Sequence, residues 1–239
     1  MSDRNARGAL VLGVFLCVGL IAFGTIVSNG IMKVKALERT VSVKGLSERE
    51  VPADVAIWPI KFNEVNNDLN ELFSSIQKKN GLVESFLKES GFKEDEISVS
   101  VPAIVDRQAQ GYSDAAKIAF RYSASSSITV YSSNVEAVRE IMNKAVELGK
   151  KGIAIVGQDY EAKTEFLFTR LNDIKPAMIE EATRNAREVA EKFAKDSNSK
   201  LGKIKRASQG QFTISDRDSN TPYIKKVRVV STLEYYLSD

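Results

Sequence analysis

The sequence contains no histidine. Imidazole is the one side chain whose ordinary pKa lies near neutrality, so its absence removes the commonest general base, proton shuttle and metal ligand. Cysteine is almost as scarce: Cys17 stands alone, inside an apolar run near the amino end. Intramolecular disulfides, thiolate zinc sites and Cys–His catalysis are thereby excluded. A disulfide-free chain can still persist outside the cytoplasm if its core is adequate. An excess of one charge is missing too, because 34 basic residues are interspersed with 31 acidic ones for a net charge of +3. That balance leaves no electrostatic footprint for nucleic acid. What remains is 43% apolar and 27% charged, the composition of a chain with a real core.

The strongest positive signal is at the amino end. Gly8 to Met32 holds no charged residue. Its most apolar part, Ala9 to Val27, would span about 28 Å as a helix, close to the hydrocarbon thickness of a bilayer. A secretory signal's apolar region is shorter, about 7–15 residues. A retained single-pass anchor is therefore expected. The competing readings are a signal cleaved near Val34-Lys35-Ala36, which lies far past the apolar run, and a lipoprotein signal, which Leu16 before Cys17 disfavours. A buried globular helix is the third, against which the stretch is apolar on every face. Arg4 and Arg7 on one flank and Lys33, Lys35 and Arg39 on the other leave the positive-inside rule undecided. A short amino tail and a large following domain favour the soluble region outside. The expected organisation is a cytoplasmic tail over residues 1–8, an anchor over 9–32, a linker over 33–39 and a soluble domain over 40–239, placed at the inner membrane of a bacterial cell and facing the periplasm.

Beyond the linker the apolar period alternates between 2 and 3.6. Thr40 to Lys44 and Val51 to Val65 read as strands. In the second, Ala56, Trp58, Ile60 and Phe62 share a face, so Trp58 reads as core, and Pro59 implies an edge or bulge. Leu69, Leu72, Phe73, Ile76, Val83, Phe86 and Leu87 form a helical stripe stopped by Gly91. Ile97 to Val105 and Lys117 to Tyr131 read as strands around a polar loop at Gly111. Ser133 and Glu136 read as a capping box opening a helix with Val135, Val138, Ile141, Met142 and Ala145 inward. Gly149 and Gly152 bracket its end. Ile153 to Val156 and Glu165 to Phe168 read as short strands. The clearest helix runs from about Ile174 to Lys195, and a closing hairpin over Ile204 to Ile214 and Ile224 to Leu237 ends the chain. The fold class is α+β: mixed or antiparallel sheets with hairpins, packed against about three helices.

Three stretches stand out: Val41-Ser42-Val43-Lys44-Gly45 followed by Val51-Pro52-Ala53-Asp54-Val55-Ala56; the helix exit Gly91-Phe92 before Asp95-Glu96-Ile97; and Ala182, Ala186, Ala190 and Ala194 leading to Lys200-Leu201-Gly202. In this order and spacing they resemble the SIMPL-domain family. The resemblance covers about Thr40 to Leu237, and Thr164 to Pro176 is similar to one bacterial subgroup. It implies an envelope protein, some relatives of which are linked to oxidative-stress defence and some of which form ring- or channel-like oligomers. It implies no shared catalytic residues.

Individual candidate sites divide between function and structure. The ladder Ala182, Ala186, Ala190 and Ala194 allows close helix approach, either to a protein partner or to the chain's own sheet, and the second reading is preferred. Asp216, Asp218 and Asn220 copy the first half of a calcium loop, but Thr221 replaces the glycine and Val227 the bidentate glutamate, so turn chemistry is the preferred account. Lys203, Lys205 and Arg206, with Lys225, Lys226 and Arg228, read either as an anion- or lipid-binding patch or as edge lysines that block aggregation. Ser123, Ser125, Ser126 and Ser127 supply nucleophiles for a Ser–Lys mechanism, without a lysine assigned to any of them. The functional expectation is a non-enzymatic scaffold or binding protein serving envelope integrity or stress tolerance, without cofactor or metal, contacting the membrane through its helix and self-assembling into homo-oligomers. The alternatives are a membrane-tethered hydrolase with Ser–Lys or carboxylate chemistry and a module binding an envelope small molecule.

Overall fold

The computed structural model describes residues 2–36, 39–109, 119–157 and 162–238. A long helix, α1 (Ser2–Ala36), opens the chain. Its segment Leu12–Met32 has a mean hydropathy of 2.1, and none of it is buried. At 1.5 Å per residue that segment is about 31 Å long, enough to cross a bilayer. The chain divides into two compact units that are not contiguous in sequence. One gathers Met1–Glu48, Lys175–Thr213 and Arg228–Asp239; the other gathers Arg49–Ile174 and Ile214–Val227.

The second unit is built on the alternation of β2 (Val55–Asn66), where Ala56, Trp58, Ile60 and Phe62 are all buried. Its sheet has the order β3-β5-β2-β6, from β3 (Ile97–Val99), β5 (Tyr122–Ser132) and β6 (Glu165–Leu167), with β4 (Ala103–Asp106) also paired to β5. β2 and β5 run antiparallel in unbroken register from Ala56↔Ser132 to Asn66↔Tyr122. Pro59 falls just past the end of the β6 pairing at Ile57↔Glu165, on the side where Lys61 O accepts from Val156 N. Its missing N–H therefore removes no ladder bond, as a proline in a strand requires. Helix α2 (Leu69–Glu89) covers the sheet with Leu72, Ile76, Val83, Phe86 and Leu87. Asp68 caps its start, accepting from Asn70 N at 2.7 Å and Glu71 N at 3.0 Å. It ends in a left-handed turn at Gly91 (φ 97°), where Phe92 N donates to Leu87 O and Gly91 N to Lys88 O. Only glycine takes that φ without strain, and the turn delivers Phe92 into the core beside Leu87. Helices α3 (Val135–Lys144) and α4 (Val146–Lys150) add Val138, Ile141 and Leu148 to the same core.

The other sheet, from β1 (Thr40–Pro52), β9 (Ile224–Ser238) and β7 (Lys200–Gln209), has the order β1-β9-β7, and β8 (Thr213–Asp216) also pairs with β9. Helix α5 (Leu171–Asp196) lies on this sheet through its alanine ladder. Ala186 and Ala190 pack with Val43, Leu233 and Tyr235. The approach is close at Gly45, where a Cβ would stand 1.9 Å from Ala182 O. Two polar ties hold the crossing: Asn185 Nδ2 donates to Leu46 O at 2.8 Å, and the buried Ser47 hydroxyl donates to Glu181 at 3.0 Å.

Several boundaries differ from the sequence reading. β1 runs unbroken from Thr40 to Pro52, because Gly45 serves close packing inside a strand rather than a turn. The expected strand over Ile97 to Val105 is two, β3 and β4, interrupted around Pro102, which has no N–H for a ladder. The capping box is replaced by Asn134, whose side chain accepts from Ala137 N at 3.1 Å. Ile153 to Val156 makes only a bridge, Ile155 to Phe62. Helix α5 starts at Leu171, three residues before the expected Ile174. The closing hairpin contains three strands, with β7 opening at Lys200. The loop around Gly111 lies outside the described residues.

Candidate functional site

The site begins with the turn between β8 and β9. Asp218 Oδ1 accepts from Asn220 N and Thr221 N, both at 2.8 Å, and Oδ2 accepts from the Thr221 hydroxyl and from Arg217 Nε at 3.0 Å. The Thr221 hydroxyl first, and then the Arg217 guanidinium, pull the Asp218 carboxyl down to about 2 from its ordinary 3.8. Because the folded pKa lies below the unfolded one, the turn's contribution to stability is complete above pH 3.8 and is lost as pH falls through about 2. Titrating the Asp218 carboxyl by NMR should therefore give a midpoint near 2; a midpoint near 3.8 would mean the turn is not formed as described.

Asp216 is engaged differently. Its Oδ1 is paired with the ammonium of Lys225, whose side chain is only 9% exposed. Asp216, Asp218 and Asn220 thus serve one lysine and one turn, and among the described residues no three His, Cys, Asp or Glu side chains gather into a metal site. Turn chemistry explains the half calcium loop. The burial of Lys225 also dissolves the proposed pairing of two basic trios, since it is withdrawn from the surface while Lys203, Lys205 and Arg206 are exposed. The last three lie on β7, an edge strand of its sheet, where lysine guards against strand addition.

Beside this turn lies a cleft of about 580 Å³, walled by α3, the segment before β6 and the turn. Arg139, Asn143, Lys163, Thr164, Asp216 and Tyr223 are among its lining residues. The Arg139 guanidinium sits 3.5 Å from the centre of the Tyr223 ring and is tied to Glu136 at 2.7 Å. Tyr223 in turn meets Phe166 edge-on at 6.1 Å, and its carbonyl accepts from Ala53 N at 2.8 Å. The cleft thus offers an aromatic wall, a fixed guanidinium and amide and hydroxyl groups for a polar ligand. Sequence reading missed it, because its residues lie on segments up to 84 positions apart (Arg139 to Tyr223) and share no period.

Two of the serine candidates take part in hydrogen bonds that hold the sheet to its neighbours. Ser126 faces α2 and donates to Asn80 Oδ1 at 2.9 Å, Ser127 N donates to Ser100 Oγ, and among the described residues none of the four is hydrogen-bonded to a lysine. A different serine and lysine come together: Ser75 and Lys79, one turn apart on α2, both bond the Glu64 carboxylate. Burial would raise the Glu64 carboxyl, but Lys79 and Ser75 outweigh it and hold the group below the ordinary range. Both side chains are thus spent on the carboxylate, with no bond between the hydroxyl and the amine. The alanine ladder is structural, with all four residues buried.

Asp54, in the Val51–Ala56 motif, ties β2 to the entry of α5. Its carboxylate accepts from Thr169 N at 2.8 Å, the Thr169 hydroxyl at 3.1 Å and Arg170 N at 3.2 Å. These bonds fix the two residues that lead into α5 at Leu171.

An α+β chain with two antiparallel sheets behind one apolar, membrane-capable helix is the class that fold and site define. Residues 41–232 match the profile of SIMPL, described as a protein of unknown function (DUF541), and the chain belongs to that family. No protein with a curated description matches it significantly.

Proposed function

We propose that the protein is a single-pass, membrane-tethered module of the cell envelope that acts by binding or scaffolding rather than by catalysis. The observation that carries this reading is α1, whose apolar segment Leu12–Met32 is wholly exposed in a chain that has buried cores elsewhere. Exposing so long an apolar helix to water is costly, and a bilayer removes that cost. The non-catalytic part rests on the lack of histidine and on the structural engagement of two of the candidate serines and of the candidate carboxylates. A role in envelope integrity or stress tolerance, from a periplasmic position, is what the family resemblance adds. Self-assembly through the soluble region belongs to the same reading.

The test compares the full chain with a variant lacking residues 1–32. The full chain should stay with membranes through high-salt and alkaline washes, whereas the variant should be soluble and folded by circular dichroism. Aggregation of the variant, or release of the full chain by washing, would overturn the tethered-domain reading. Light scattering on the soluble variant then tests assembly, since a monomer confines any association to the anchor. The Arg139–Tyr223 cleft favours ligand binding over pure scaffolding, because its cation, ring and amides converge on one space.

A further inference from the structure

We infer that the tether-proximal end of the first unit docks flat on an anionic lipid surface. This rests on the reading of α1 as an anchor. Thr40 follows Met32 by eight residues, so even fully extended the start of β1 lies within about 28 Å of the end of the apolar span. The start of β1 shares its end of the sheet with the start of β7 and the end of β9. Leu237 N donates to Arg39 O at 2.8 Å, the Arg39 guanidinium donates to Ser199 Oγ at 3.1 Å, and Lys200 is in register with Ser238. The carboxyl end of α5 arrives there too, through a turn in which Ser199 N donates to Ala194 O at 2.8 Å.

The charge at this end is distinctive. Among the described side chains of residues 39–40, 192–205 and 234–238, six are basic and two acidic, a net of +4 in a chain whose total is +3. Everything else in the sequence is therefore close to neutral. Lys192, Lys195, Lys200 and Lys203 are exposed. Two large apolar side chains of the same segments are also left in water: Phe193 on α5, 55% exposed, and Ile204 on β7, 48% exposed. Exposed lysines together with a protruding ring and a branched aliphatic chain are the chemistry of the membrane interface, with ammonium groups on phosphates and apolar tips at the acyl boundary. Protection of the β7 edge accounts for lysines on that strand, but not for the lysines of α5 or for exposed Phe193.

The full chain, carrying Cys17→Ala and Ser197→Cys labelled with an environment-sensitive dye, is reconstituted into two kinds of vesicle: phosphatidylcholine alone, and phosphatidylcholine mixed with phosphatidylglycerol. The dye should shift to the blue only in the mixed vesicles, and about 1 M salt, where the screening length is ~3 Å, should abolish the shift. Replacing Lys192, Lys195 and Lys203 with glutamine should weaken docking about fivefold per residue, roughly 100-fold together, without changing vesicle association. Vesicle association with identical dye emission in both lipids would overturn the docking and leave the anchor standing. A shift equal in both lipids and indifferent to salt would also overturn it. Failure to associate with either vesicle would remove the anchor reading and this inference together.

Discussion

Gly45→Ala should destabilise the protein by about 3–5 kcal/mol, among the largest effects a single methyl group can have. The added carbon would stand 1.9 Å from Ala182 O and 2.5 Å from Ala186 N, both backbone atoms of α5. No rotamer change relieves such a contact, so helix and strand must separate and the ladder from Ala182 to Ala194 loses its seat. For a chain of this size the shift in melting temperature is about 10 °C or more. The control is Gly81→Ala, in an exposed position of α2 where a Cβ meets nothing within 4 Å. There alanine should stabilise by about 0.5–1 kcal/mol, because glycine inside a helix carries an entropic cost. Thermal melts of both variants check the pair, and a Gly45→Ala protein as stable as the parent would mean that α5 does not lie on β1 at this distance.

Asp216→Ala should cost about 2–3 kcal/mol, somewhat below the ~3–5 kcal/mol of a fully buried pair, because Asp216 itself is partly exposed. Its removal strands the Lys225 ammonium, whose side chain is only 9% exposed. Lys225→Met should change stability by less than about 1 kcal/mol, since the apolar stem is replaced and the freed carboxylate can turn to water. The double variant should recover most of what Asp216→Ala loses. Urea unfolding of the three variants gives the coupling energy. Equal losses for both single variants would show that the ammonium is not isolated by its surroundings.

These two predictions concern residues that the sequence made legible to very different degrees. The alternation from Ala56 to Phe62 and the stripe from Leu72 to Leu87 were readable because each needs only neighbours two to four positions away. The alanine ladder was readable as a helix face for the same reason. Its partner was not, because the Gly45 backbone lies about 140 residues upstream and glycine more often marks a turn. Asp216 and Asp218 were visible as a polar cluster, and their spacing suggested a metal as readily as a turn. Only the position of the Lys225 side chain, folded inward against Asp216, separates the two. The capping position moved by one residue, from Ser133 to Asn134, because a helix start depends on which side chain reaches the free amides.

By itself, the sequence determined the class of this protein: an apolar span of membrane length, strands and helices with the correct periods, a chain without imidazole or disulfide chemistry, and membership of a family. Each is set by composition or by contacts between near neighbours. Tertiary structure alone decided how the chain divides, since both units are assembled from separated segments. It also decided that Asp54 holds the entry to a helix 115 residues further on, that Arg139 stacks on Tyr223 beside a cleft, and that the starts of β1 and β7 meet the end of β9. Strand order and packing bring together residues unrelated by any short period, and only the folded backbone specifies which of them meet.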